Sequence, residues 1–305
     1  MREEMRVDIE AGPDVGAPWH FGDVANEQRA LANGTAFADL SHHPTLAVRG
    51  EDRLSWLHSL TTQYLLNLPI GQWSQALILS PHGHVEHQIF LIDDGITTLL
   101  SIEPGTADSL RTYLDSMRFM LRVDVVDVSD EVALLRVPGT ADEIGGPYEL
   151  ISRDDLNSRL SELRAGFTEV GSWALDAERV AAHRPRLGFD TDHKTIPNEV
   201  GWLNTAVHLN KGCYRGQETV ARTMNLGRPP RRLVLLHLDG SDASLPEHGD
   251  QVFLGEKAIG FIGTAARHYE LGPIALAVIK RSTPIDAELL AAGIPAAQEE
   301  IVSAT

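Results

Sequence analysis

The stretch from residue 45 to 128 constrains the fold most, because its apolar period switches repeatedly within one short run. "TLAVRG" (45–50) reads as a strand. "EDRLSWLHSLTTQYLLNL" (51–68) then carries Leu54, Leu57, Leu60, Tyr64 and Leu65 at helical spacing. "QWSQALILSPHGHVEHQIFLIDDGITTLLSIE" reads as three strands, with "SPHG" and "DDG" as its turns. "PGTADSLRTYLDSMRF" predicts a helix with Pro104 near its start and Leu110, Tyr113, Leu114 and Met117 inward. "MLRVDVVDV" follows as a strand. The order β-α-β-β-β-α-β describes an α+β unit resembling a split βαβ pattern with an added strand.

Beyond this unit, "EVALLRVPG" (131–139) opens another strand. "RDDLNSRLSELRAG" (153–166) and "ALDAERVAAHR" (174–184) predict helices. From Arg232 onward the texture changes to short β runs, "RLVLLHL", "DQVFLG", "KAIGFIGTAA" and "IALAVI", separated by Gly, Pro and Asp turns. That pattern predicts a C-terminal β-barrel or sandwich. "GRPPRR" (227–232) is the expected linker, stiffened by two prolines. A length of 305 exceeds what one core usually serves. The expected division is therefore 1–228, two interleaved α+β subdomains, and 229–305, the barrel.

Composition excludes several classes. Cys213 is the only cysteine, so an intrachain disulfide framework is excluded, as is a Cys-rich zinc or iron–sulfur site made by this chain alone. No apolar run approaches the roughly 20 residues that span a bilayer. The charged start, "MREEMRVDIEAG", lacks a signal-peptide core. The expectation is a cytoplasmic protein with no membrane association. A net charge of −17 argues against direct nucleic-acid binding. The charge is uneven, because Val207 to Leu235 holds six cations and one anion, Glu218. Such a stretch is either a solvated basic face or the rim of a pocket for an anionic small ligand.

The strongest local signal is "KGCYRGQE" (211–218), which packs two glycines, a thiol, an aromatic ring and a Gln-Glu pair into eight residues. "RGQETVART" predicts a helix just after Cys213. Lys211, Arg215 and that helix N-terminus are surroundings that favour a thiolate. The competing reading is a buried structural cysteine. Of the histidines in "SPHGHVEHQ", His82 and His84 share a strand face and His87 points to the other. That is a poor zinc geometry, and His42 and His43 before Pro44 are weaker still, so no metal site is expected. Dinucleotide, P-loop, G-x-S-x-G and HExxH motifs are absent.

"KGCYRGQETVAR" resembles the signature of the YgfZ-type folate-binding proteins, relatives of the glycine-cleavage T-protein (aminomethyltransferase). The resemblance extends to 37–63, to 76–92 and to "RVAAHRPRLGFDTDHKTIPNEVGWLNTAVHLNKGCY" (179–214). It implies three subdomains around a central cavity that holds tetrahydrofolate or a one-carbon derivative, with a C-terminal β-barrel. It also implies that Lys211, Gly212, Tyr214, Arg215, Gln217, Glu218, Arg222, Glu199, His87 and Gln88 contact the folate, with Cys213 as a working thiol. Three departures separate this chain from the aminomethyltransferases. His87 and Gln88 stand where those enzymes carry paired Asp, Ala181 stands at the position of a folate-contacting Glu, and the later motif has its "KGCY" form.

The resemblance therefore implies a tetrahydrofolate-binding accessory protein for iron–sulfur cluster assembly or repair, with an indirect role in tRNA modification. Its partners would be folate and iron–sulfur assembly or client proteins. The alternatives are a folate-dependent aminomethyltransferase or demethylase, which needs a hairpin carboxylate, and a non-catalytic binding module.

Overall fold

The computed structural model describes residues 5–226, 229–241 and 244–303. Residue alternation in two sheets sets the architecture. The first sheet has the order Ser74–Leu79, Val85–Asp93, Thr97–Ile102, Thr45–Arg49, Asp124–Asp127, with every neighbouring pair antiparallel. Leu46, Val48, Ile89, Leu91, Leu100 and Ile102 point to one face. Trp56 and Leu57 of the Arg53–Leu60 helix and Leu110 and Leu114 of the Ala107–Ser116 helix cover that face. Burying each such side chain contributes about 1.5–3 kcal/mol. The intervening residues, Gln88, Phe90 and Ser101, point the other way, into a cavity.

The second sheet repeats the plan on the far side of the cavity. Its order is Tyr148–Ser152, Val132–Arg136, Ala36–Asp39, Thr168–Glu169, and only the last pair is parallel. Phe37 and Leu135 pack outward onto Leu160 and Leu163 of the Arg153–Gly166 helix. Leu134 and Arg136, on the opposite face, turn toward the cavity. Trp73 ties the sheets together, since its indole N–H donates to Tyr148 O at 3.1 Å.

The C-terminal unit is a closed six-stranded barrel running Arg231–Leu238, Gly272–Lys280, Lys257–His268, Gln251–Leu254, Leu289–Ala291, Ile294–Glu300 and back to the first strand. Val234, Leu236, Val252, Ile262 and Ile279 fill its interior. Leu233 and Leu235, on the outer face of the first strand, join a core with Leu77, Trp202 and Tyr214. Of the expected linker, Gly227 and Arg228 lie outside the described residues.

The predicted β-α-β-β-β-α-β order is present from Thr45 to Asp127, and a closed barrel follows. Two local expectations need correction. The helix expected over 51–68 spans only Arg53–Leu60, and Tyr64 is exposed. Thr61 is extended, and the Thr62 hydroxyl donates to Ala206 O at 2.6 Å while accepting from Leu77 N at 2.9 Å, so this backbone is drawn off the helix axis. The barrel also has two strands not foreseen, Leu289–Ala291 and Ile294–Glu300. A two-residue turn joins them, with positive φ at Ala292 (50°) and Gly293 (86°), the geometry of a type I′ hairpin.

The "KGCYRGQE" loop is docked onto the "SPHG" hairpin turn. Gly216 has φ +80°, and a Cβ there would meet Ser80 O at 2.6 Å and Gly83 Cα at 2.9 Å. Gly212 faces open space and has no such φ. Gly216→Ala is therefore expected to destabilise the protein by about 2 kcal/mol or more, from left-handed strain plus the clash. Gly212→Ala should change stability by less than about 0.5 kcal/mol. Urea unfolding of the two variants checks the contrast.

Candidate functional site

Side chains of the signature loop are largely committed to structure. The Lys211 ammonium donates to the carbonyls of His58, Thr61 and Gln63, and so closes the C-terminal end of the Arg53–Leu60 helix. Burial pushes its pKa down to about 8, while three carbonyl acceptors favour the charged form, so it stays an ammonium at neutral pH. Tyr214 is buried against Trp202 and Val220, and burial pushes its phenol up to about 12. Arg215 pairs with Glu86 at 3.2 Å and lies over the Tyr113 ring. Gln217 starts the Gln217–Leu226 helix, on which Glu218 and Arg222 form an exposed pair at 2.7 Å. Glu199 is buried and accepts from Arg231 Nη2 at 2.8 Å. Cys213 is exposed and unpaired as a thiol, not packed as a small hydrophobe.

These positions correct the picture of a cationic rim. Lys211 turns to a helix end, Arg215 to Glu86, Arg222 to Glu218 and Arg231 to Asp192 and Glu199, while Arg232 is buried in the barrel strand. The described cations between 207 and 235 thus serve separate partners. Arg228 lies outside the described residues.

His87 and Gln88 are separated by the strand's alternation. His87 shares the buried face of Ile89 and Leu91, and burial pushes its pKa down to about 4. Gln88 faces the cavity, where its Oε1 accepts from Leu187 N at 3.0 Å. Glu86, the nearest hairpin carboxylate, points outward to Arg215. Ala181 packs against a hydrophobic core.

The cavity lies between the two sheets and the segment 172–186. Its wall includes Gln88 but not His87, Glu199 or any residue of the signature loop. One side is aromatic: Trp73 and Tyr148 meet edge-on at 5.6 Å, and Phe90 stands 6.2 Å from Tyr148. The other side is charged. Arg186 binds Asp14 through Nη1 at 2.6 Å and Nη2 at 2.7 Å, and Glu103 through Nε at 2.7 Å. Arg179 holds Asp176 at 2.7 Å and Arg184 holds Glu178 at 2.7 Å. Burial opposes ionisation of Asp14, but Arg186 and His42 overcome it and hold the carboxyl well below the usual carboxylate range. At Glu103, burial wins over Arg186 and raises the pKa. Burial, helped by Arg186, keeps His43 neutral, with its Nδ1 set 3.2 Å from Ile102 O.

Asp14, His42 and His43 bring ligand atoms within 4.8 Å of one another. The set does not fit a metal ion, because both Asp14 oxygens are taken by the Arg186 guanidinium, whose charge repels a cation. The cavity residues Asp14, Glu103, Arg136, Tyr148, Asp176 and Glu178 were not singled out in the sequence. A usable signal exists at Arg136, a charge at an inward position of "VALLR".

Residues 10–143 match the family described as GCVT N-terminal domain. The backbone is similar to that of the glycine cleavage system aminomethyltransferase T from Bartonella henselae, with a TM-score of 0.83 at 17% identity over 100% of this chain and 96% of the other. The chain has the T-protein fold. What this chain shares with the aminomethyltransferases is the domain match over residues 10–143 and the fold. An aminomethyltransferase of Rippkaea orientalis is 25% identical, covering 89% of this chain and 87% of its own length. A chloroplastic protein of Arabidopsis thaliana with a provisional transferase name is 27% identical over 76% of this chain. This chain spans 62% of that relative's length. Among the described residues, no helix of the T-protein fold here is long and apolar enough to cross a membrane.

The buried His87 generates a pH prediction. Its folded pKa of about 4 lies below the unfolded value of 6.5, so the unfolded chain takes up the proton first as pH falls. Its protonation has no effect on stability above pH 6.5, and stability is lost as pH falls from there toward 4. His87→Leu should reduce the stability lost between pH 7 and pH 4.5 by roughly 2–3 kcal/mol relative to the unsubstituted protein. Denaturant titrations at the two pH values measure this difference.

Proposed function

We propose that this chain is a tetrahydrofolate-binding accessory protein that acts in iron–sulfur cluster assembly or repair, and not a working aminomethyltransferase. The observation that carries the second half is the hairpin. Its cavity-facing position is Gln88, engaged with Leu187 N, and its carboxylate Glu86 points outward. The other cavity carboxylates, Asp14, Glu103, Asp176 and Glu178, are each ion-paired to an arginine. None is left to orient a substrate amine in the way the resemblance requires of an aminomethyltransferase.

The cavity fits a folate on its own chemistry. Trp73, Phe90 and Tyr148 offer a flat apolar wall to a ring system. Gln88, Ser101 and Glu103 offer polar groups to ring nitrogens and oxygens. Glu103, whose pKa burial raises, has a single arginine partner. Bound tetrahydrofolate would supply nitrogens that carry a one-carbon group. The residues of this chain bind and orient it and keep water from its ring face.

Cys213 supports the iron–sulfur half of the reading. The loop around it is fixed by Lys211, Tyr214 and Gly216, yet the thiol itself is exposed. One thiol supplies at most one ligand to a cluster, so the remaining ligands come from a partner protein, for which the cluster is cargo. Effects on tRNA modification follow indirectly, through modifying enzymes that need clusters.

Titration calorimetry should show binding of tetrahydrofolate, its methylene form or folinic acid. Iodoacetamide should label Cys213 in the native protein. Cys213→Ser should keep folate affinity within about twofold yet fail to restore iron–sulfur enzyme activity in cells lacking the protein. Folate-dependent release of ammonia from an aminomethyl-lipoyl donor, well above background, would overturn the proposal.

A further inference from the structure

Four guanidinium groups reach the cavity, and one differs from the rest. Arg179, Arg184 and Arg186 each hold a carboxylate. Arg136 is 1% exposed and holds none among the described residues. Its Nη1 donates to Val137 O at 2.6 Å and its Nη2 to Gly139 O at 3.1 Å. Its Nε has no partner among the described residues. A guanidinium does not shed its proton in a protein, so this buried charge persists. A buried charge with no carboxylate in contact is costly, and here burial works against the charged form more than the nearby Glu178 and Asp142 favour it.

A second arginine stands in the same neighbourhood. Arg184 lines the same cavity and also has an Nε without a partner among the described residues. Glu178, bound to Arg184 at 2.7 Å, and Asp142 both favour the charge on Arg136 from nearby. Neither is in ion-pair contact with Arg136, whose donor bonds among the described residues reach only backbone carbonyls. Tyr148 belongs to the same wall, and the Trp73 and Phe90 rings stand next to it. Leu134 shares Arg136's strand face, so an apolar side chain would suit the position on packing grounds alone. An arginine there has a use that packing does not supply.

We propose that Arg136 is the anion anchor of the cavity. A bound ligand sets a carboxylate against Arg136 and Arg184, and lays a flat ring along Trp73, Phe90 and Tyr148. The ligand class is an aromatic or heteroaromatic acid. For the ligand's identity this rests on the folate reading, since in a folate the p-aminobenzoylglutamate portion carries the carboxylates and the pterin carries none. The anchor itself depends only on the arginines.

The test compares p-aminobenzoylglutamate with its diamide, which has the same ring and no charge, on the full-length protein by calorimetry. The acid should bind about ten-fold or more tightly than the diamide, the scale of a charge-assisted pair. In Arg136→Met that ratio should collapse toward one, and Arg136→Lys should retain part of it. The ratio is read within each variant, so it does not depend on the fraction folded. The comparison in the unsubstituted protein stands even if a variant fails to fold. Equal affinity of acid and diamide, no measurable binding of the acid, or an unchanged ratio in Arg136→Met would each overturn the anchor. The two readings separate cleanly. Binding of tetrahydrofolate without acid–amide discrimination defeats the anchor and leaves the folate reading. Arg136-dependent binding of the acid, with no binding of any folate, does the reverse.

Discussion

Arg186 is the joint on which the cavity depends. Its guanidinium takes Asp14 from the N-terminal segment and Glu103 from the end of the first sheet, two groups 89 residues apart in the chain. Its own backbone N–H donates to Asp190 at 2.9 Å, and the next N–H, of Leu187, donates to Gln88. Asp190 in turn accepts from Arg179 at 2.6 Å and from the barrel backbone at Thr264 N at 2.7 Å. One buried network thus connects the N-terminal segment, both α+β units and the barrel. Removing one partner from such a network typically costs about 3–5 kcal/mol, because the other charge is left buried. The cavity exists only when the whole chain has folded around this arginine.

A second constraint fixes the signature loop. Gly216 and Gly83 meet backbone to backbone, Lys211 ends a helix belonging to the first sheet, and Tyr214 sits in the core shared with the barrel. Lys211, Tyr214, Arg215 and Gly216 each have a structural partner or packing reason, while Gly212 faces open space and Cys213 is exposed. The motif is therefore better described as a strut that displays a thiol than as a wall of the ligand cavity. Thiol and cavity are separate places on the molecule, and the proposed accessory role would assign cluster chemistry to the first and folate to the second.

Periodicity made the first sheet, its two helices and four of the barrel strands legible, because each buries one face and alternates cleanly. The last two strands escaped, since "ELLAAGIPAAQEE" is alanine-rich, acidic and broken by Pro295, and only the positive-φ turn at Ala292–Gly293 reveals the hairpin. The helix over 51–68 was read too long because Tyr64 and Leu65 continue the spacing, while the two hydroxyls at Thr61 and Thr62 redirect the chain. The site was less legible than the fold. Sequence proximity grouped Lys211, Arg215, Glu218 and Arg222 with the thiol, although Lys211 turns to a helix end, Arg215 to Glu86, and Glu218 and Arg222 to each other. The cavity draws on Asp14, Glu103, Arg136 and Arg186, whose meeting is a property of the tertiary fold that no local window contains.

The central claim is that ligand binds between the two sheets and away from the signature loop. Amide hydrogen exchange with and without tetrahydrofolate tests this most directly, because it locates protection along the backbone. The account predicts slowed exchange in residues 86–103, 134–148 and 172–187, with no change in 209–222. Protection concentrated in 209–222, with the cavity segments unaffected, would contradict it.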